Sequence, residues 1–118
     1  MPAKNIPGGY NGKILRVNLS SNSIFTETID ELFCRKYLGG AGFVTYFLWK
    51  ELQPKIDPLS PDNKLIFALG PLTGTQLPGC GRNCIGAKSP MTGGITKSEV
   101  GGFWGAELKR AGYDIIIV

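Results

Sequence analysis

Between Gly12 and Leu19 the apolar residues Leu15, Val17 and Leu19 alternate with Arg16 and Asn18, the period of two that marks a half-buried strand. Ser20 to Ser23 is a run of turn formers, and Ile24 to Ile29 resumes an extended pattern. A hairpin with a four-residue loop is therefore expected. Asp30 is placed to cap a helix through Leu32, Arg35 and Leu38, which Gly39 stops. Beyond Gly39-Gly40-Ala41-Gly42, the spacing of Phe43, Val44, Phe47, Leu48 and Leu52 predicts a second helix, ended by Pro54. Its periodicity assigns the aromatics Phe43, Tyr46, Phe47 and Trp49 to the core.

Lys64 to Leu69 is a nearly continuous apolar run and suits a central strand. A turn-rich stretch, Gly70 to Gly81, separates it from a strand over Arg82 to Lys88. After the turn Ser89 to Gly94, a short strand is expected over Ile95 to Ser98, then Gly101-Gly102 and a helix from Phe103 to Arg110 stopped by Gly112. Asp114 to Val118 reads as a buried strand on which the chain ends. The pattern predicts one α+β domain over residues 1–118, with mixed sheets and a few short helices. A terminal core strand points to truncation. It also points to an exposed edge with apolar surface that a second copy would cover, hence a homo-oligomer.

Composition changes this picture in three ways. Glycine supplies 17 of 118 residues, about twice the usual share of roughly 7%, which implies many positive-φ turns or backbone that approaches something closely. Histidine is absent, which removes the commonest general base and the commonest neutral metal ligand. The cysteines Cys34, Cys80 and Cys84 form no CxxC pair, and Cys80-x-x-x-Cys84 has neither zinc nor ferredoxin spacing, so plain thiols are expected. Met1 to Tyr10, with Pro2, Lys4 and Pro7, is no signal peptide, and no run approaches the roughly 20 apolar residues that span a bilayer. These features place the chain in a reducing, cytoplasmic setting away from membranes. The net charge of +4 is carried by scattered Lys and Arg without a nucleic-acid motif, so nucleic-acid binding is not expected.

Standard cofactor motifs fail. Gly79-Cys80-Gly81 begins a dinucleotide fingerprint, but Cys84 stands where its third glycine belongs. Gly74 to Gly79 has P-loop spacing, but Cys80 replaces the lysine. No serine or cysteine has a marked activating partner, so no catalytic residue is assigned. What remains is an anion cradle. Gly101-Gly102 opens a helix, where free N–H groups favour phosphate. Gly79 to Gly81 delivers Arg82 to a strand start, where a guanidinium can hold a phosphate or a planar heterocycle. Both segments read equally well as ordinary turns with Arg82 solvated.

The ordered strings GYNGKILRVNLS (9–20), KYLGGAGF (36–43), DPLSPDNKLIFALGPLTGT (57–75), Gly81-Arg82, AKSPMTGGI (87–95) and GGFWGAELKRAGYD (101–114) run nearly end to end. Together they resemble the N-terminal domain of the aldehyde ferredoxin oxidoreductase family. The resemblance implies a base under two pterins that share one tungsten or molybdenum atom (tungstopterin or molybdopterin), their phosphates linked by magnesium. It implies a parent that oxidises aldehydes to carboxylates and passes electrons through a [4Fe-4S] cluster to ferredoxin. By position, Arg82 matches the family arginine at the cofactor, and Gly101, with Gly102 beside it, matches a glycine whose backbone approaches the pterin. Glu99 falls where the family often has an Asn contacting pterin and magnesium, which implies contact through its backbone carbonyl. The cluster cysteines and catalytic carboxylate of the family lie beyond the matched region, so this chain alone is expected to be inactive. The rival expectations are a non-catalytic binding module and a self-associating structural fragment of the same fold.

Overall fold

The computed structural model describes residues 6–118, so Pro2 and Lys4 of the N-terminal stretch lie outside the described residues. The strands are β1 (Lys13–Asn18), β2 (Ser23–Thr28), β3 (Ile66–Ala68), β4 (Asn83–Lys88), β5 (Ile95–Val100) and β6 (Ile115–Ile117). The helices are α1 (Glu31–Tyr37), α2 (Ala41–Glu51) and α3 (Trp104–Arg110). All six strands form one mixed sheet in the order β2-β1-β6-β3-β4-β5.

The expected hairpin pairs Asn18 with Ser23 across four loop residues. Asp30 caps α1 as its position implies, its carboxylate accepting the Phe33 N–H at 2.8 Å. Helices α1 and α2 cover one face of the sheet. There Phe43, Val44, Phe47 and Leu48 of α2 and Cys34 of α1 pack on Ile14, Ile66, Ala68, Cys84, Ile115 and Ile117. Residues 14, 66, 68, 84, 115 and 117 share this face because strand side chains alternate. Trp49 departs from the expectation that all four α2 aromatics are core: it is 77% exposed, on the side of the helix turned away from the sheet. Tyr46 is half-buried against Phe33 and Tyr37.

The terminal strand corrects a second expectation. β6 is no edge: it pairs parallel with β1 and antiparallel with β3, with Ile115 and Ile117 buried. The edges are β2 and β5, so the argument for a homo-oligomer through an exposed β6 edge does not hold. The long crossover from β1 to β6 carries most of the chain, and the strand that returns last is inserted at the centre.

A buried-edge ion network ties α2 to the hairpin end of the sheet. Arg16 donates to Glu51 (Nη1 to Oε2, 2.8 Å) and to Glu27 (Nε to Oε2, 2.6 Å), and its guanidinium lies 5.5 Å from the Phe47 ring centre. Burial pushes the Glu51 carboxyl up, but the Arg16 hydrogen bonds and the Lys64 charge outweigh it and hold it below the usual carboxylate range.

Candidate functional site

At the opposite end of the sheet, an open pocket of about 230 Å³ lies between two walls. One wall is backbone: the Leu38-Gly39-Gly40 turn between α1 and α2, and Gly70-Pro71 after β3. The other carries Arg82 and Cys84 at the start of β4 and Glu99 near the end of β5. Antiparallel pairing brings the second wall together, with Cys84 opposite Glu99 and Asn83 opposite Val100. The backbone wall is close-set. A Cβ on Gly39 (φ +154) would stand 2.8 Å from the Leu69 carbonyl oxygen and 3.0 Å from Gly70 Cα, so only glycine fits there. The Gly40 N–H donates to that same Leu69 carbonyl at 3.1 Å.

Of the residues singled out in the sequence, Arg82 and Glu99 meet in this pocket. Arg82 is 74% exposed along its side chain and its Nη1 lies 3.7 Å from Glu99 Oε2. Lys97 holds the other Glu99 oxygen at 2.8 Å. The Lys97 hydrogen bond, followed by its charge and then that of Arg82, keeps the Glu99 carboxyl below the usual range. The ion pair to Arg82 is long and solvated, and such pairs hold weakly, so the guanidinium retains N–H groups for another acceptor. Gly101 and Gly102 do not line the pocket; a Cβ on Gly81, the residue before Arg82, would lie 3.2 Å from the Gly102 carbonyl oxygen. Neither Gly101 nor Gly102 has any atom within 4 Å of where its own Cβ would stand, so both present bare, approachable backbone. The helix they introduce begins at Trp104 rather than Phe103, has seven residues, and lacks a side-chain cap. Its two turns give only a small dipole, and what these glycines offer is open backbone rather than a strong helix terminus.

Sequence reasoning missed the backbone wall as part of this site. Its signal was the glycine density of KYLGGAGF and of Gly70 in GPLTGT, which periodicity treats only as helix stop and turn. Asn83, buried beside the pocket, leaves both amide atoms without a hydrogen-bond partner. Its Cβ lies 3.4 Å from where a Cβ on Gly105 would stand.

Among the described residues no group of three or more His, Cys, Asp or Glu is placed to hold a metal ion. Cys84 is buried in the core, and burial pushes its thiol up against the pull of Lys97. Burial, with the nearby Asp114 and Asp30 charges, pushes Cys34 up to about 11. Since the thiolate is the nucleophile, the folded chain at pH 8 is expected to react rapidly with an aromatic disulfide reagent at Cys80 alone. Counting released thiolate tests this: one fast equivalent before unfolding and three after it, whereas two or three fast equivalents would mean that Cys34 or Cys84 is open.

Residues 14–118 match the family model described as the aldehyde ferredoxin oxidoreductase N-terminal domain. The chain is 61% identical to the tungsten-containing aldehyde ferredoxin oxidoreductase of Pyrococcus horikoshii over 93% of its own length. It is 43% identical to the aliphatic sulfonate oxidoreductase, WOR-like subunit, of Pyrococcus furiosus over 92%. Among solved structures it superposes with a TM-score of 0.89 and 43% identity on the active-site complex BamBC of benzoyl coenzyme A reductase with 1,5-dienoyl-CoA, covering 92% of this chain and 17% of that one. The chain spans 18% of the length of these curated relatives.

Proposed function

Because the chain belongs to the aldehyde ferredoxin oxidoreductase family, through its N-terminal domain, we propose that it is the portion of an oxidoreductase that cradles a metallopterin. The observation that carries this reading is the meeting of Arg82 with a glycine-built wall at one open pocket. The residues fit such a group. An exposed guanidinium suits a phosphate or the edge of a planar heterocycle, and the glycines of the facing wall let a flat ligand approach backbone at close range. The names of the relatives favour tungsten over molybdenum as the metal between the pterins.

When bound, the metallopterin supplies the two-electron chemistry that converts an aldehyde to a carboxylate. The contribution of this chain is to bind and orient. Arg82 holds an anionic or heterocyclic edge, Gly39 and Gly40 keep the opposite wall free of side chains, and Gly101 and Gly102 allow contact through backbone. Glu99 faces the pocket with a carboxylate already engaged by Lys97, so its backbone carbonyl, not its side chain, would be the group to hold a magnesium bound with the cofactor. The chain spans 18% of the length of its relatives, and in this reading a four-iron four-sulfur cluster, the aldehyde pocket and the ferredoxin surface belong to the rest of the parent protein. Free thiols at Cys34, Cys80 and Cys84 agree with a reducing, cytoplasmic setting, and among the described residues no helix is long and apolar enough to cross a membrane.

The test is Arg82→Ala in the protein purified anaerobically from its native host, with tungsten, molybdenum and phosphorus measured per chain. Metal and phosphorus together are expected to fall by about tenfold, the scale seen when a supporting contact to a bound metal group is lost. Unchanged content would remove Arg82 from the site. Absence of both metals from the unsubstituted protein would remove the cofactor reading altogether.

A further inference from the structure

We propose that Lys109 and Asp114, neither of which touches the pocket, form the positioning pair that fixes its backbone wall, so that Lys109 governs how firmly the cofactor is retained. The inference rests on the cofactor reading above. Lys109 Nζ has three N–H groups and spends each on a different partner: the Gly70 carbonyl at 2.9 Å, the Gly9 carbonyl at 2.8 Å and Asp114 Oδ1 at 3.1 Å. Gly70 lines the pocket directly. Gly9 backs Pro71, since a Cβ on Gly9 would stand 2.8 Å from the Pro71 carbonyl oxygen. Nζ also lies 5.8 Å from the Tyr10 ring centre, and the Tyr10 hydroxyl donates to the Leu38 carbonyl, a third point on the same wall.

Asp114 anchors the ammonium and extends the lattice. It is fully buried and accepts the Asn11 N–H at 2.9 Å and the Gly12 N–H at 2.7 Å. Its own carbonyl accepts the Leu69 N–H at 2.9 Å, and the Leu69 carbonyl accepts the Gly40 N–H. A lysine serving only to neutralise Asp114 would need one of its three donors. Here a second reaches the Gly70 carbonyl of the wall and a third the Gly9 carbonyl behind it, on two loops distant in sequence. The helix carrying Lys109 and the strand following Asp114 thereby place Leu38, Gly40, Gly70 and Pro71 relative to Arg82.

Three variants of the protein purified anaerobically from its native host decide this. Lys109→Met removes the ammonium, Tyr10→Phe removes only the hydroxyl held on Leu38, and Glu51→Gln weakens the Arg16 network at the far end of the sheet as a stability control. Loss of tungsten or molybdenum during anaerobic dialysis is followed by elemental analysis, each protein held 20 °C below its own unfolding midpoint, as an arbitrary matched condition of about equal stability. Lys109→Met is expected to lose metal about tenfold faster than the unsubstituted protein and Tyr10→Phe about threefold faster, with Glu51→Gln unchanged. Equal rates for Lys109→Met, Tyr10→Phe and Glu51→Gln would overturn the proposal, because the pair would then act on stability alone. If Lys109→Met does not fold, Lys109→Gln, which keeps an N–H donor but loses the charge and the three-way reach, takes its place against Glu51→Gln, and equal rates for those two would overturn the proposal. An unsubstituted protein with no metal would instead overturn the cofactor reading, a result distinct from any difference between variants.

Discussion

Asp114→Ala is expected to cost the chain about 3–5 kcal/mol of unfolding free energy, the range for removing one partner of a buried charged pair. Asp114 is completely buried, and its carboxylate satisfies two backbone N–H groups as well as the Lys109 ammonium. Alanine would orphan the Asn11 and Gly12 amides, each at a desolvation cost on the order of 1–3 kcal/mol. It would also leave the ammonium of Lys109, whose side chain is 16% exposed, without a counter-charge. Against a typical total of about 5–15 kcal/mol, that loss threatens the folded state at growth temperature. Asp114→Asn keeps one acceptor oxygen and should lose markedly less. Urea unfolding of the three proteins, read at unchanged m-value, provides the measurement. A loss under about 1 kcal/mol for Asp114→Ala would show that water or a shifted Lys109 replaces the carboxylate.

The same residue shows what the sequence discloses and what it conceals. Period-two and helical spacing, continuous apolar runs and the turn formers between them located every strand and helix to within a residue or two, because the first two follow directly from which faces of an element are wet. β5 alone ran longer than expected, to Val100 rather than Ser98, since its side chains are exposed throughout and leave no alternation to read. Strand order was not legible. Nothing local in Asp114 to Val118 distinguishes an edge from a centre, and the insertion of β6 between β1 and β3 is fixed by the Asp114 N–H to Lys13 carbonyl bond and by contacts about a hundred residues apart. Trp49 misled for a related reason: α2 is apolar nearly all round, so periodicity has no polar face with which to orient it. At the site, the long strings that resemble the family led to Arg82 and Glu99, which do converge. The backbone wall of Gly39, Gly40 and Gly70 carries no side-chain chemistry, and only the fold reveals that these glycines stand in one place.

The approach of α2 to the sheet beneath that wall is governed by another glycine, and its substitution carries the second large effect. Gly86→Ala places a Cβ within the Val44 side chain and 3.0 Å from the Thr96 carbonyl oxygen. The methyl has nowhere to go, since Val44 is fully buried on α2 and Thr96 is paired in register on β5. Overpacking of this kind costs about 1–3 kcal/mol, and the usual entropic gain of alanine over glycine, roughly 0.5–1 kcal/mol, offsets only part of it. Val44→Ala alone should cost about 2 kcal/mol through lost burial and the cavity it leaves. In the double variant the new methyl at 86 occupies the space vacated at 44. The two losses should therefore fall short of their sum by about 1–2 kcal/mol, a coupling expected of residues in direct contact. Chemical unfolding of the four proteins completes the cycle. Additivity within about 0.5 kcal/mol would mean that α2 simply rises off the sheet to admit the methyl. Because Gly40 and Ala41 begin that helix, such a shift would displace the backbone wall of the pocket, and the double variant is the form in which helix and wall return to their places.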